Sequence, residues 1–326
     1  MSKTPTLNII TMANDIGRTR PFTLRKTFDL YYNSIARYNQ DFLITVYTNL
    51  PKSWFARERV RIFDSSENDF LKLYSDYHWF NLTFHRFHLL KKHLAMGENP
   101  IWIDLDTIIC DNIEHFAEYS NLFIKYGFGE TMGILNSKLS LPQKEWIHGH
   151  LFKIDHKIVS MVEQLLDQEK DDLPQYELMS FFTLLQYRHP EHFIILNNLT
   201  NKIINFDWCF EAGRQPMKLN NLTENYSHPE PAFIKDRVKI VNGRPYGYDG
   251  RGFMLITFTF FSLEANLRRN WSNINDPAAR AWLRSLCHIS IIDRLKFHLI
   301  HAQFMLKKDN LKKIGIVKLL RRILQK

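Results

Sequence analysis

From Ile101 to Cys110 the chain reads Ile-Trp-Ile-Asp-Leu-Asp-Thr-Ile-Ile-Cys, an apolar run that carries two carboxylates two residues apart. A run this rich in β-branched and aromatic residues is expected to form a buried strand with its charges at one end. Side chains alternate across a strand, so Asp104 and Asp106 are expected on one face and Ile101, Ile103 and Leu105 on the other. Burying an unpaired carboxylate is costly, so an explanation that leaves the pair merely solvated is strained by its apolar surroundings. Two carboxylates side by side also repel, which raises the pKa of each unless a cation neutralises them. A divalent metal is the simplest such cation.

The elements around this run set the fold class. Leu7 to Met12 reads as a first strand, followed by a polar loop through Asn14 and Asp15 and a helix from Phe22 to Tyr38. Strands are expected at Phe42 to Thr48 and Val60 to Phe63, and Phe84 to Met96 has the three-and-four apolar spacing of a helix ending at Gly97. Strands alternating with helices imply an α/β fold with a mainly parallel sheet flanked by helices, in which ligands collect at the carboxyl ends of the strands. Beyond Asp106 the pattern loosens. His148-Gly149-His150 reads as a turn, Lys157 to Gln168 and Tyr176 to Tyr187 as helices, and Asn220 to Pro231 and Arg244 to Gly252 as loops. From Phe253 onward the chain reads as mainly helical, so a division into residues 1–252 and a helical C-terminal region, 253–326, is expected.

A chain of 326 residues with 45% hydrophobic content can bury a large core. Cys110, Cys209 and Cys287 are odd in number and lack any short paired spacing, which argues against a disulfide framework or a zinc site and fits a reducing cytosol. The N-terminus lacks the apolar core of a signal peptide, and the longest apolar-rich run, Phe253 to Leu263, is too short to span a bilayer. The net charge of +9 is concentrated: residues 294–326 hold ten Lys or Arg against one acid, Asp309, so the rest of the chain balances to zero. Within that tail Ile314, Ile316, Val317, Leu319, Leu320, Ile323 and Leu324 form one broad apolar face among basic residues. Such a terminal helix is expected to lie on an anionic membrane surface, each basic residue contributing roughly 1 kcal/mol. A solvated basic face packed on the domain is the plainer reading. Nucleic-acid binding has no accompanying motif.

In transfer from a nucleotide-sugar the leaving diphosphate gathers negative charge, and a divalent cation held against it acts as a Lewis acid. Mg2+ and Mn2+ favour carboxylate oxygens, with phosphate oxygens and water completing the shell. With Arg86-Phe87-His88-Leu89-Leu90 before it and Asp111-Asn112-Ile113 after it, the segment from Pro100 to Ile113 resembles the donor-binding half of GT-A glycosyltransferases. The likeness is to the retaining, family-8-like enzymes of bacterial lipopolysaccharide and capsule synthesis. It is close over about thirty residues, and extends as element order over the first 210, including Thr11 to Asn14 and Asn205-Phe206-Asp207-Trp208.

The resemblance implies a GT-A (Rossmann-like) domain that uses Mn2+ or Mg2+. It implies Asp106 as metal ligand, Asp104 as the carboxylate reaching the ribose, the metal or both, Arg86 as a donor contact, and Thr11 and Asn14 beside the nucleotide base. The late His-x-x-Gly-x-x-Lys-Pro-Trp sequence that supplies a third ligand in such families is absent. His228 is the nearest late candidate, with His148 and His150 as weaker alternatives in what reads as a loop. A carboxylate base, if the reaction needs one, is sought at Asp171, Asp172 or Glu177, although acids at a helix N-terminus are also favoured by the helix dipole alone. The expected function is sugar transfer from a nucleotide-sugar, a UDP-sugar, to a saccharide or lipid-linked saccharide, by a peripheral protein on the cytoplasmic face of the inner membrane. The alternatives are a haloacid-dehalogenase-like phosphatase, whose Asp-x-Asp belongs in its first strand, and a non-enzymatic membrane-surface scaffold. The full chain is expected to sediment with anionic vesicles, and a chain lacking residues 294–326 to remain in the supernatant; equal partitioning of the two would remove the membrane expectation.

Overall fold

The computed structural model describes residues 6–14, 21–65, 78–127, 145–168, 178–197, 203–205, 238–247 and 255–257, with Ala281 and Ser285. The core is a seven-stranded sheet in the order β3-β2-β1-β4-β7-β6-β8. Its strands are β1 (Leu7–Met12), β2 (Phe42–Thr48), β3 (Val60–Asp64), β4 (Ile101–Ile103), β6 (Leu122–Gly127), β7 (Glu145–Lys153) and β8 (Ile195–Asn197). Of these, β7 alone runs against its neighbours, β4 and β6. Helix α1 (Pro21–Tyr38) covers one face, while α2 (His78–Ala95), α3 (His156–Gln168) and α4 (Leu178–Arg188) cover the other. The expected α/β class, a mainly parallel sheet between helices, is therefore observed.

The two-residue period of the strands sorts the core. Ile9, Ile44, Ile101 and Ile103 pack with Phe28, Tyr31 and Ile35 of α1, whereas Ile10, Tyr47, Trp102 and Phe152 pack with Phe84 and Phe87 of α2 and with residues of α3 and α4. The chain runs outward from β1 to β2 and β3, then returns to lay β4 on the other side of β1. A reversal of this kind opens a crevice at the carboxyl ends of β1 and β4, where Asn14 and Asp104 lie.

Four sequence expectations change. The Ile101–Cys110 run is two strands rather than one: β4 stops at Ile103, Asp104-Leu105-Asp106 turns, and β5 (Thr107–Ile109) enters a separate sheet of order β5-β12-β9 with β9 (Ile203–Asn205) and β12 (Leu255–Thr257). The turn is closed by Thr107 N donating to Asp104 O at 3.1 Å. His148-Gly149-His150 is no turn but the middle of β7. Residues 244–247 are half of a hairpin, β10 (Val238–Val241) with β11 (Arg244–Gly247), whose Asn242 and Gly243 both have positive φ (49° and 74°), the geometry a tight hairpin turn demands. Finally, Leu255–Thr257 is strand where helix was expected, because it pairs with β5 and β9.

Helix α2, which carries Arg86, is pinned at its end. Gly97 (φ 77°) takes the left-handed conformation, and Glu98 N bonds back to His93 O at 3.0 Å. This brings the Glu98 carboxylate to His93 Nδ1 (2.6 Å) and to both Nη atoms of Arg61 (2.9 and 3.0 Å), while His93 Nε2 meets the Tyr47 hydroxyl at 2.8 Å. The Arg61 hydrogen bonds, opposed by burial and helped by His93, hold Glu98 at about 2, below its ordinary 4.5. A depressed carboxylate stabilises the fold above its ordinary value and loses that contribution as pH falls toward the folded value. Glu98→Gln is expected to cost about 1 kcal/mol near neutrality, with the gap to the unsubstituted protein closing between pH 4.5 and about 2 in denaturation curves.

Candidate active site

The acidic turn and the residues after it are held from beneath by α1 and by Asn39, just past its end. Tyr31 donates to Ile103 O (3.3 Å), Ser34 Oγ accepts from Ile109 N (3.1 Å), and Asn39 Oδ1 accepts from Ile113 N (2.8 Å). These bonds satisfy backbone groups along the passage from one sheet to the other. From the opposite face comes α2, and from beside β4 within the sheet comes β7. Asp104 N donates to His150 O at 2.7 Å, so the pairing of β4 with β7 continues one step past Ile103 and sets His150 against the turn.

Asp104 is the most heavily engaged carboxylate of the site. Its Oδ1 accepts from Trp102 Nε1 at 2.6 Å, and its Oδ2 accepts from Arg86 Nη1 at 3.1 Å and lies 3.3 Å from His150 Nδ1. Arg86 also donates through Nη1 to Gly149 O (3.2 Å), and its guanidinium lies over the Trp102 ring, 5.7 Å from the centroid. Asp106 is the more open of the two acids: its side chain is 13% exposed, and its Oδ1 is 3.5 Å from the same His150 Nδ1. The two carboxylates thus converge, as expected, although through a turn and a shared imidazole rather than through strand alternation.

Their titrations part in opposite directions. For Asp104 burial works to raise the pKa, but the Arg86 charge and the bonds from His150 and Trp102 outweigh it and hold the carboxylate below its usual range. For Asp106 burial prevails over His150, the Asp104 charge adds to it, and the pKa rises. With a neutral imidazole the four side chains carry two negative charges against one positive, so the group favours a further cation. Carboxylate oxygens of Asp104 and Asp106 and a ring nitrogen of His150 lie within 4.8 Å of one another, which fits them as ligands of a single ion.

The other expected residues divide. Thr11 is wholly buried in β1. Asn14, just past its end, accepts from Asn49 N (3.0 Å) and Ser65 Oγ (2.6 Å), clasping the ends of β1, β2 and β3, while its Nδ2 has no partner among the described residues. Asp111 pairs with Arg244 of the hairpin, and Asn112 Oδ1 accepts from Glu114 N at 2.9 Å, so this step ties the turn's far side to β11. Asp171, Asp172, Glu177, His228 and the basic tail lie outside the described residues.

His150 is the residue that sequence reading undervalued. Between the pairs Phe123–Phe152 and Ile124–His148, β7 has three residues, Gly149, His150 and Leu151, with no counterpart in β6. This bulge bends the strand toward the turn. A Cβ on Gly149 would sit 3.0 Å from both Arg86 Nη1 and Met179 Sδ, so a side chain there would displace the guanidinium. A glycine inside a strand-like run is a signal for a bulge, although between two histidines it also suggests a turn.

No protein-family model matches the chain, and no curated protein matches it. Among solved structures it is similar to the galactosyltransferase LgtC in complex with donor and acceptor sugar analogues (12% identity, 89% of this chain and 100% of that one, TM-score 0.49). It is also similar to the glycosyltransferase GlyE of Streptococcus pneumoniae (13% identity, 88% and 65% of the two chains, TM-score 0.42) and to mouse xyloside xylosyltransferase 1 (11% identity, 67% and 93%, TM-score 0.45). At these values the likeness fixes neither family nor chemistry.

Removing Asp104 strands a buried guanidinium, whereas removing Asp106 relieves a repulsion. Asp104→Ala is therefore expected to cost about 3–5 kcal/mol in metal-free denaturation, and Asp106→Ala to change stability by less than about 1 kcal/mol.

Proposed function

We propose that this protein is a GT-A-type glycosyltransferase that moves a sugar, a hexose, from a nucleotide-sugar, a UDP-sugar, to a saccharide acceptor. The observation that carries the reading is the convergence of Asp104, Asp106 and His150 at the carboxyl end of β4, with Arg86 neutralising one carboxylate and leaving the other partly open. Asp104 and Asp106 would hold Mn2+ or Mg2+, and the bound ion would offset the charge that develops on the departing diphosphate. The remaining work falls to the chain. Arg86 and Trp102 keep Asp104 ionised and oriented, so that the turn presents a fixed negative end to its ligand. Asn14, with its unpartnered Nδ2 at the neighbouring strand end, has a donor for a base or ribose oxygen of the nucleotide. In the reaction the bond from the anomeric carbon to the diphosphate oxygen breaks, a bond to the acceptor oxygen forms, and the acceptor proton departs to a base, for which Asp172 and Glu177 are the candidates.

The tail supports a place for the reaction. Its ten basic residues over positions 294–326 suit attachment to the cytoplasmic face of the inner membrane and a lipid-linked or cell-surface polysaccharide acceptor. Among the described residues no helix is long and apolar enough to cross a membrane. A phosphatase of the haloacid-dehalogenase type would carry its Asp-x-Asp at the end of the first strand, and here the pair follows the fourth.

The test is a panel of nucleotide-sugars with Mn2+ or Mg2+, reading nucleoside diphosphate release. At least one donor is expected to be turned over, with Asp106→Ala lowering the rate by a hundredfold or more, about 3 kcal/mol in barrier. Absence of turnover with every donor, or an unaffected variant, overturns the reading.

A further inference from the structure

We propose that His150 is a direct metal ligand through Nδ1, and that this nitrogen makes the site select a first-row transition ion such as Mn2+ or Co2+ over Mg2+. The inference rests on the reading that the acidic pair holds a cation, and goes beyond it by naming the third ligand and the class of ion.

Neighbouring ligands on one ion, at bonds of about 2.1 Å, stand about 3 Å apart. His150 Nδ1 lies 3.3 Å from Asp104 Oδ2 and 3.5 Å from Asp106 Oδ1, so a small closure around an ion brings all three donors to bonding distance. The imidazole is buried and is held there by its backbone, since His150 O accepts from Asp104 N at 2.7 Å. A ligand set that spans two hydrogen-bonded strand segments is preformed and needs no distant loop to arrive. The β7 bulge, the close approach of Arg86 over Gly149 and the 2.6 Å bond from Trp102 all fix the same corner. Chemistry then decides the ion. Mg2+ keeps to oxygen ligands, whereas imidazole nitrogen suits the later divalent ions, with Co2+ bound more tightly than Mn2+. Two carboxylates and one imidazole therefore bias the site away from Mg2+.

The test is direct binding to the full chain with no donor present. Pulsed paramagnetic resonance of bound Mn2+ should detect one imidazole nitrogen in the unsubstituted protein. His150→Asn, which offers an oxygen near the place of Nδ1, should lose that coupling and weaken Co2+ binding by about tenfold or more, while Mg2+ affinity changes less than about twofold. His228→Asn should keep the coupling. Thermal denaturation establishes that the variants are folded, and His150→Gln repeats the test if His150→Asn is not. Bound Mn2+ without nitrogen coupling, coupling that survives in His150→Asn, or coupling lost in His228→Asn overturns the proposal while leaving sugar transfer to its own assay. Nitrogen coupling at His150 in a protein that turns over no nucleotide-sugar leaves this inference standing and removes the transferase reading.

Discussion

The buried pair of Asp104 and Arg86 is the interaction on which the site depends. Neither charge could stay where it is without the other, because the cost of an unpaired ion in that interior exceeds what one hydrogen bond returns. The pair is also a joint between elements: α2 brings the guanidinium, β4 ends in the carboxylate, β7 contributes a carbonyl and an imidazole, and the Trp102 indole serves both partners at once. Positions of the helices over the sheet and of the acids at its edge are consequently one problem with one solution.

Much of this was legible in the chain. The strands β1 to β3, the helices α1 and α3, and the place of Arg86 ahead of the acidic run follow from local periodicity, which burial against a two-sided sheet reinforces. What escaped was set by pairing between distant segments. Trp102 reads as a packing residue, and its N–H matters because Asp104 follows two positions later on the same face. The break after Ile103 cannot be read from a run whose composition is uniform, because it depends on β12, more than a hundred residues away, claiming Thr107–Ile109. Asn242-Gly243 was a readable hairpin signal, masked by the Gly and Tyr that follow it.

His150 illustrates the same limit at the site. The glycine before it suggests flexibility, yet that glycine serves close approach rather than motion: the absent Cβ is the space into which Arg86 and Met179 fit. The polarity of that strand makes sense only once β4 is beside it.

Tyr31 and Ser34 of α1, and Asn39 just past its end, hold the backbone at Ile103 before the acidic turn and at Ile109 and Ile113 after it. The chain is thereby tied on both sides of the turn to a rigid helix of 18 residues. Such a turn has few alternative shapes to give up when something binds, so little ordering entropy is charged against affinity. The same stitching makes the helix a lever: any ligand that pulls the carboxylates together must carry α1 with them, or work against a scaffold that resists.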